Sequence, residues 1–393
     1  MKKILVVVSD MNLGGVTTSV INFCNELQNR GNIVHFLNMG KANSEAEVKI
    51  NPDVKRISLE GLAAKWNLGM ETIRNTSGLR KLEVLPLALV KKMTNHSEKW
   101  LNIVFRNYCI EEQYDVAVAF RQCAPCYYFV LNCVKSAVKL GFIHGNLKTM
   151  GNVSSFDSYF ERFDSIACVS KACRDGFRER YPKIREKFAY VYNMFPVEDI
   201  KKMASEPCPI SIDKDKFNIV TVSRVENASK GIERIPVICE LLKKKGYSFR
   251  WYVLGDGPDY ELDKQDAHER GLDDVLVFYG ASDNPHCIVK NCDLSVLPTK
   301  GEAYSMTVIE SMIIGTPIVV SQYDGVEEAV SDGINGLIAE QNAESLEKKV
   351  SLCMDKGNNT LKSIRENLRQ HIYNNDIAYE QFETMINQCN IGG

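Results

Sequence analysis

Leu294-Ser295-Val296-Leu297-Pro298-Thr299-Lys300-Gly301-Glu302-Ala303-Tyr304-Ser305-Met306-Thr307-Val308-Ile309-Glu310-Ser311-Met312-Ile313-Ile314-Gly315-Thr316-Pro317 decides the fold. Leu294–Leu297 is a short apolar run of strand length, and the Pro-Thr-Lys-Gly that follows breaks it. Apolar residues then recur at helical spacing from about Ser305, and Gly315 marks the helix end. Pro317 opens another apolar run. Strand, turn, helix and strand in so short a span form the repeating unit of a parallel sheet with crossover helices.

The same alternation runs outward in both directions. Upstream, strands are expected at Ile4–Val8, Ile33–Leu37, Val116–Phe120, Val138–Ile143, Ile166–Val169 and Phe188–Tyr192. A second series is expected at Ile219–Val222, Phe249–Leu254, Val275–Tyr279, Leu294–Leu297, Pro317–Val320 and Leu337–Ala339. Between them, Met194 to Lys216 carries Pro196, Pro207 and Pro209 among charged residues and reads as a linker. The chain has 393 residues, too many for one ordinary core. The reading is therefore α/β, with two Rossmann-like doubly wound domains facing a central cleft. Residues 1–195 form the first domain, 196–216 the linker and 217–365 the second domain, and a terminal helical stretch, 366–393, crosses back to the first. Ligands of open α/β sheets bind at the carboxyl ends of the strands, which the cleft would face.

Composition narrows the class. The chain is 45% hydrophobic and 25% charged, with a net charge of −2, so a general affinity for nucleic acid is not implied. Met1-Lys2-Lys3 leads into an apolar run too short for a signal-peptide core, and no window is long and apolar enough to span a membrane. The 13 cysteines are scattered and read as buried thiols in a cytoplasmic protein. One segment is asymmetric: residues 71–110 hold seven basic and three acidic side chains, a difference of +4, and Leu79, Leu82, Leu85, Leu89 and Met93 recur at helical spacing. This basic stretch, about residues 74–106, is either a surface helix with a solvated face or a peripheral contact with anionic membrane on the inner face of the cell membrane. Pro86 argues against one straight helix there.

Four places carry candidate chemistry. The backbone N–H groups of Ser305, Met306 and Thr307 sit at a helix start and form an anion site, with Glu302 before the helix and Glu310 inside it suited to accept hydrogen bonds from sugar hydroxyls. Arg224 and Lys230 follow the first strand of the second domain, where a guanidinium fork and an ammonium are placed to clamp a diphosphate. Gly14 and Gly15 occupy the first turn after the first strand and permit close backbone approach, without forming the full dinucleotide fingerprint. His144 ends a strand and is read as a donor to a sugar hydroxyl or to charge growing on the ligand. No H-E-x-x-H, P-loop or G-x-S-x-G motif is present. Asp213-Lys214-Asp215 lies in the charged linker and reads as solvated charge, so no metal site is expected. Cys123-Ala-Pro-Cys126 has redox-dithiol spacing without other features of such a site.

Together these residues resemble the retaining glycosyltransferases of family 4, over nearly the whole chain and most densely from Val220 to Ala339. Glu302 and Glu310 match the Glu-x7-Glu element, and Ser223-Arg224…Lys230-Gly231 matches the Gly-Arg…Lys-Gly element. Leu254-Gly255-Asp256-Gly257-Pro258, Val169-Ser170 and Tyr192-Asn193 also fit. Two departures concern the sugar pocket: Ser223 stands for the usual glycine, and Ala303-Tyr304-Ser305 stands for Gly-Phe-Gly. The resemblance implies the GT-B fold and retained anomeric configuration. It implies a nucleotide-diphosphate sugar, UDP first, with neither cofactor nor metal. Glu310 would hold the ribose and Glu302 and His144 the sugar, with Gly14 and Gly15 facing the donor. The acceptor would be a saccharide or lipid-linked saccharide of cell-surface polysaccharide synthesis. A sugar-nucleotide epimerase and a non-catalytic sugar-nucleotide-binding protein use the same architecture and remain alternatives.

Overall fold

The computed structural model describes residues 1–12, 14–40, 45–61, 63–67, 80–93, 98–147, 150 and 153–391. The apolar runs form two sheets in which every pair is parallel. The first holds β1 (Lys3–Val8), β2 (Ile33–Asn38), β3 (Lys55–Ile57), β4 (Ile110–Ala119), β5 (Val134–Ile143), β6 (Ser165–Cys168) and β7 (Phe188–Tyr190), in the order β3-β2-β1-β4-β5-β6-β7. The second holds β8 (Phe217–Val222), β9 (Phe249–Leu254), β10 (Leu276–Gly280), β11 (Leu294–Leu297), β12 (Ile318–Ser321) and β13 (Leu337–Ala339), in the order β10-β9-β8-β11-β12-β13. Each sheet grows outward on both sides of its first strand, which leaves a switch point at β1/β4 and another at β8/β11. The expected strands are all present. Only β3 is new, a three-residue edge strand whose Lys55 and Arg56 are exposed and so give no apolar signal.

Helices cover both faces of each sheet, which is why the strands read as unbroken apolar runs. In β1, Leu5 and Val7 pack with Tyr127, Phe129 and Phe160, while Ile4, Val6 and Val8 pack on the other face with Phe23, Phe142 and Phe382. A separate cluster around Trp251, Ile288 and Val319 fills the second domain.

The stretch between the sheets is more than a linker. Val197–Ala204 is a helix whose Ile200 and Ala204, one turn apart, are buried in the core of the second domain. It packs on helices Pro285–Asn291 and Met306–Ile314. At the far end, helix Thr360–Gln370 buries Ile364 and Leu368 in the same core, and helix Asp376–Ile391 returns to the first domain. There Phe382 meets Phe23 edge-on at 5.1 Å, and Glu383 pairs with Lys2.

Of the basic stretch, residues 74–79 and 94–97 lie outside the described residues. Pro86 sits inside helix Arg80–Met93 rather than ending it, and Leu87 and Val90 after it pack on the core. Lys91 is buried, and burial lowers its pKa, so it does not belong to a solvated face. Leu89, Met93 and Ile103 are exposed.

Candidate functional site

The turn after β8 is built by two close backbone approaches. Gly255, at φ 141°, lies so near Ser223 that a Cβ would sit 1.9 Å from the Ser223 carbonyl oxygen. The Ser223 and Val225 N–H groups accordingly bond the carbonyls of Leu254 and Asp256, at 3.0 Å each. The short helix Asn227–Lys230 then ends at Gly231 in the left-handed conformation, φ 65°, where a Cβ would lie 2.2 Å from the Pro298 carbonyl oxygen. This seats the turn after β8 on the turn after β11. The Ser229 carbonyl receives the Thr299 hydroxyl at 3.0 Å and the Lys300 N–H at 2.9 Å.

The consequence is a pair formed across the switch point. Lys230 Nζ donates to Glu302 Oε1 at 2.6 Å, and Thr299 Oγ1 lies 3.2 Å from the same oxygen. The two charged side chains retain only 26% and 14% of their exposure. Arg224, on the same turn, is 65% exposed, 3.7 Å from Glu226, and its guanidinium points to no tighter acidic partner.

Beyond the turn, helix Met306–Ile314 begins at Ser305, whose hydroxyl makes no capping bond, and its first turn holds no acidic residue. Its leading N–H groups at Met306 and Thr307 therefore face outward with the positive end of the helix dipole. The helix closes at Gly315, φ 85°. Glu310, in its second turn, has Oε2 3.7 Å from His286 Nε2.

In the first domain, Gly14 and Gly15 start helix Gly15–Asn29 after β1, and the space where their side chains would be is open. Leu13 lies outside the described residues. His144 follows β5 and lies against Phe120 and Phe142, with ring centroids 4.6 and 5.9 Å away. Its Nε2 is 2.9 Å from the Phe120 carbonyl oxygen. Burial lowers its pKa to about 4, with the Arg121 charge acting the same way and the Phe120 bond opposing both. His144 is thus neutral near pH 7, with its one N–H committed to Phe120. That alters the role read from sequence: the ring offers the cleft the Nδ1 lone pair, an acceptor for a sugar hydroxyl rather than a donor. Nearby, Cys123 precedes helix Ala124–Cys133 and a hydrogen bond to Cys126 brings it down to about 7, whereas burial raises Cys126. All 13 cysteines are free thiols, nine of them buried.

The carboxyl ends of the two sheets face each other. Glu328 of the second domain accepts the N–H groups of Lys171 and Ala172, both at 2.8 Å, at the start of helix Lys171–Arg180, and the Tyr192 hydroxyl at 2.9 Å. Tyr192 stacks on Tyr304 at 5.0 Å, and Asn146 Nδ2 lies 3.5 Å from Asp324 Oδ2. A cavity of about 500 Å3 opens behind this stack, lined by Tyr192, Tyr304, Glu328, His371 and Tyr373 among others. Sequence reasoning placed Lys230, Glu302, Glu310 and the helix start on adjacent turns of one domain, and His144, Gly14 and Gly15 on the facing edge. It missed His286 and Glu328. His286 lies in the first turn of helix Pro285–Asn291, a few residues after the strand ending at Gly280, and that nearness to a strand's carboxyl end was the available signal.

Comparison with known proteins follows from this geometry. Residues 206–371 match the family model described as glycosyl transferases group 1. Over that stretch the chain is similar to those transferases. An uncharacterized glycosyltransferase of Methanocaldococcus jannaschii is 27% identical over 232 residues, 58% of this chain and 57% of that one. The N,N'-diacetylbacillosaminyl-diphospho-undecaprenol alpha-1,3-N-acetylgalactosaminyltransferase of Campylobacter jejuni is 31% identical over 173 residues, 44% of this chain and 43% of that one. The chain thus spans about half the length of these curated relatives. Over the whole fold, a mutant of S. aureus TarM in complex with fondaparinux, alpha-GlcNAc-glycerol and UDP superposes with a TM-score of 0.70 at 14% identity, covering 98% of this chain and all of that one. Anabaena HepE in complex with UDP-glucose gives 0.64 at 17%, covering 100% and 99%. The fold is GT-B, two parallel-sheet Rossmann-like domains.

Proposed function

We propose that the protein is a retaining glycosyltransferase that moves a sugar from a nucleoside-diphosphate sugar, a UDP-sugar first, to a saccharide or lipid-linked acceptor in cell-surface polysaccharide synthesis. The observation that carries the reading is the Lys230–Glu302 pair, set beside an uncapped helix start at a switch point. The Campylobacter relative's lipid-diphosphate acceptor and the UDP-sugar complex of HepE support the acceptor and donor classes.

An entering diphosphate competes with Glu302 for Lys230, Arg224 swings onto the outer phosphate, and the N–H groups of Met306 and Thr307 receive a phosphate oxygen. These groups stabilise the charge that grows on the leaving diphosphate as the sugar C–O bond breaks, in place of a metal. Glu302, released from Lys230, turns to the sugar hydroxyls, Glu310 holds the ribose, and His144 accepts a hydroxyl through Nδ1. The acceptor hydroxyl attacks from the face that the diphosphate leaves, and a leaving phosphate oxygen takes its proton.

The test is calorimetric binding of UDP, GDP and ADP in EDTA to wild type and to Lys230→Ala, with product analysis with and without acceptor. Binding of one nucleotide that the substitution weakens supports the reading; turnover of a sugar nucleotide without acceptor would replace it with an epimerase. Among the described residues no helix is long and apolar enough to cross a membrane. The exposed Leu89, Met93 and Ile103, near Lys92, Lys99 and Arg106, support a peripheral contact with anionic lipid. Co-sedimentation with phosphatidylglycerol vesicles checks it: absence of binding at low salt removes it.

A further inference from the structure

Helix Pro285–Asn291 follows β10 and buries Cys287, Ile288 and Val289 in the second core. The residue before them is different. Both ring nitrogens of His286 are shut off from solvent, and among the described residues neither has a hydrogen-bond partner. Buried polar atoms are nearly always paired, and an orphan is costly, so a histidine at this place calls for an explanation that an apolar residue would not need.

The explanation lies opposite. Glu310 Oε2 is 3.7 Å from His286 Nε2, just outside hydrogen-bonding distance. A movement of about 0.8 Å closes the gap to an ordinary N–H···O bond. Glu310 lies one helix turn inside the anion-binding start, and its terminal torsion is soft, so nothing on its own helix orients the carboxylate.

We propose that His286 is a positioning residue for Glu310. When the ribose of a nucleoside diphosphate enters, the His286 Nε2–H donates to Oε2 of Glu310 and fixes the carboxylate plane, so that Oε1 and the second lone pair of Oε2 meet the adjacent 2' and 3' hydroxyls. That bond gives His286 Nε2 the partner it lacks. This rests on the donor-site reading above, in which Glu310 holds the ribose; it adds the residue that sets the preference for a ribose over a deoxyribose.

The test compares UDP with 2',3'-dideoxy-UDP by calorimetry, and GDP and ADP with their dideoxy counterparts, on wild type, His286→Leu, His286→Gln and Glu310→Ala. His286→Leu fills the same volume without polar atoms, so its melting temperature is expected to hold or rise. Its affinity for the ribonucleotide is expected to fall about tenfold while that for the dideoxynucleotide stays within twofold. His286→Gln, which returns an N–H near the Nε2 position, is expected to recover most of the preference. Equal loss for both nucleotides, or no loss for either, overturns the proposal, since a merely structural role does not distinguish the sugar. Glu310→Ala separates the two layers: a ribose preference that survives it refutes the ribose-holding role of Glu310 and the proposal together, whereas a preference lost in Glu310→Ala and kept in His286→Leu refutes His286 alone. If no nucleotide of the three binds wild type, the donor-site reading falls and takes the proposal with it.

Discussion

Replacing Lys230 by methionine keeps the length of the side chain and removes its charge. At 2.6 Å and an effective dielectric of about 20, the gross attraction between Lys230 and Glu302 is about 6 kcal/mol. Desolvation of two mostly covered groups cancels most of it, and contacting charged pairs couple by roughly 0.5–3 kcal/mol net. The substitution therefore acts twice. It removes the cation from the diphosphate, and it leaves Glu302 without its lysine, a carboxylate that repels the incoming phosphate. If Lys230 stabilises the leaving group, kcat should fall by about 100- to 1000-fold, the loss typical of one such contact. Adding Glu302→Gln should recover UDP affinity by roughly 2- to 150-fold over the single variant, the range of the coupling energy. The assay is donor-sugar transfer in EDTA together with calorimetric titration of UDP on the four proteins of the cycle. A single variant within threefold of wild-type kcat, or a double variant that binds UDP no better than Lys230→Met, would refute the clamp.

Gly231→Ala places a methyl group 2.2 Å from the Pro298 carbonyl oxygen at φ 65°, and should destabilise the second domain by roughly 2–4 kcal/mol in urea unfolding and abolish UDP binding before it unfolds the first domain. His144 should remain neutral with its proton on Nε2 from pH 8 to pH 5, because burial lowers its pKa to about 4; ring-nitrogen chemical shifts report the tautomer, and protonation at the ordinary value near 6.5 would contradict the packing. The sign for stability follows: the unfolded ring takes a proton first as pH falls, so the His144 contribution is intact above about pH 6.5 and lost toward pH 4. Phe382→Ala should cost about 3–5 kcal/mol and loosen the helix Asp376–Ile391 from the first sheet, seen as lost amide protection in both Phe23 and Phe142 neighbourhoods.

The strands were legible because both faces of each sheet are covered, so a strand such as Ile4–Val8 writes itself as an unbroken apolar run. β3 was not, since an edge strand with outward lysine and arginine carries no such run. The helix Val197–Ala204 hid behind prolines and charges because only its Ile200 and Ala204 face inward. Within the site, the turns after β8 and β11 were legible through residue types that few other contexts need together: a glycine after Lys230, and a carboxylate before an uncapped helix. What the sequence did not disclose were relations between distant residues. Glu328 caps a helix that begins 157 positions earlier, and the proton on His144 is set by the Phe120 carbonyl 24 positions away.

The helix Asp376–Ile391 has a consequence for the order of synthesis. It supplies Ala378, Phe382, Met385 and Ile386 to a core otherwise made of residues from the first domain. On a ribosome that adds 5–20 residues each second, the about 180 residues between the first sheet and that helix take roughly 10–40 s to appear. Through that interval Phe23 keeps its contacts with Phe120 and Phe142 but lacks Phe382, and the strip that the last helix covers stays open until the chain returns. A nascent-chain chaperone that holds an aromatic surface would find its binding site there, and would be displaced by the protein's own later residues.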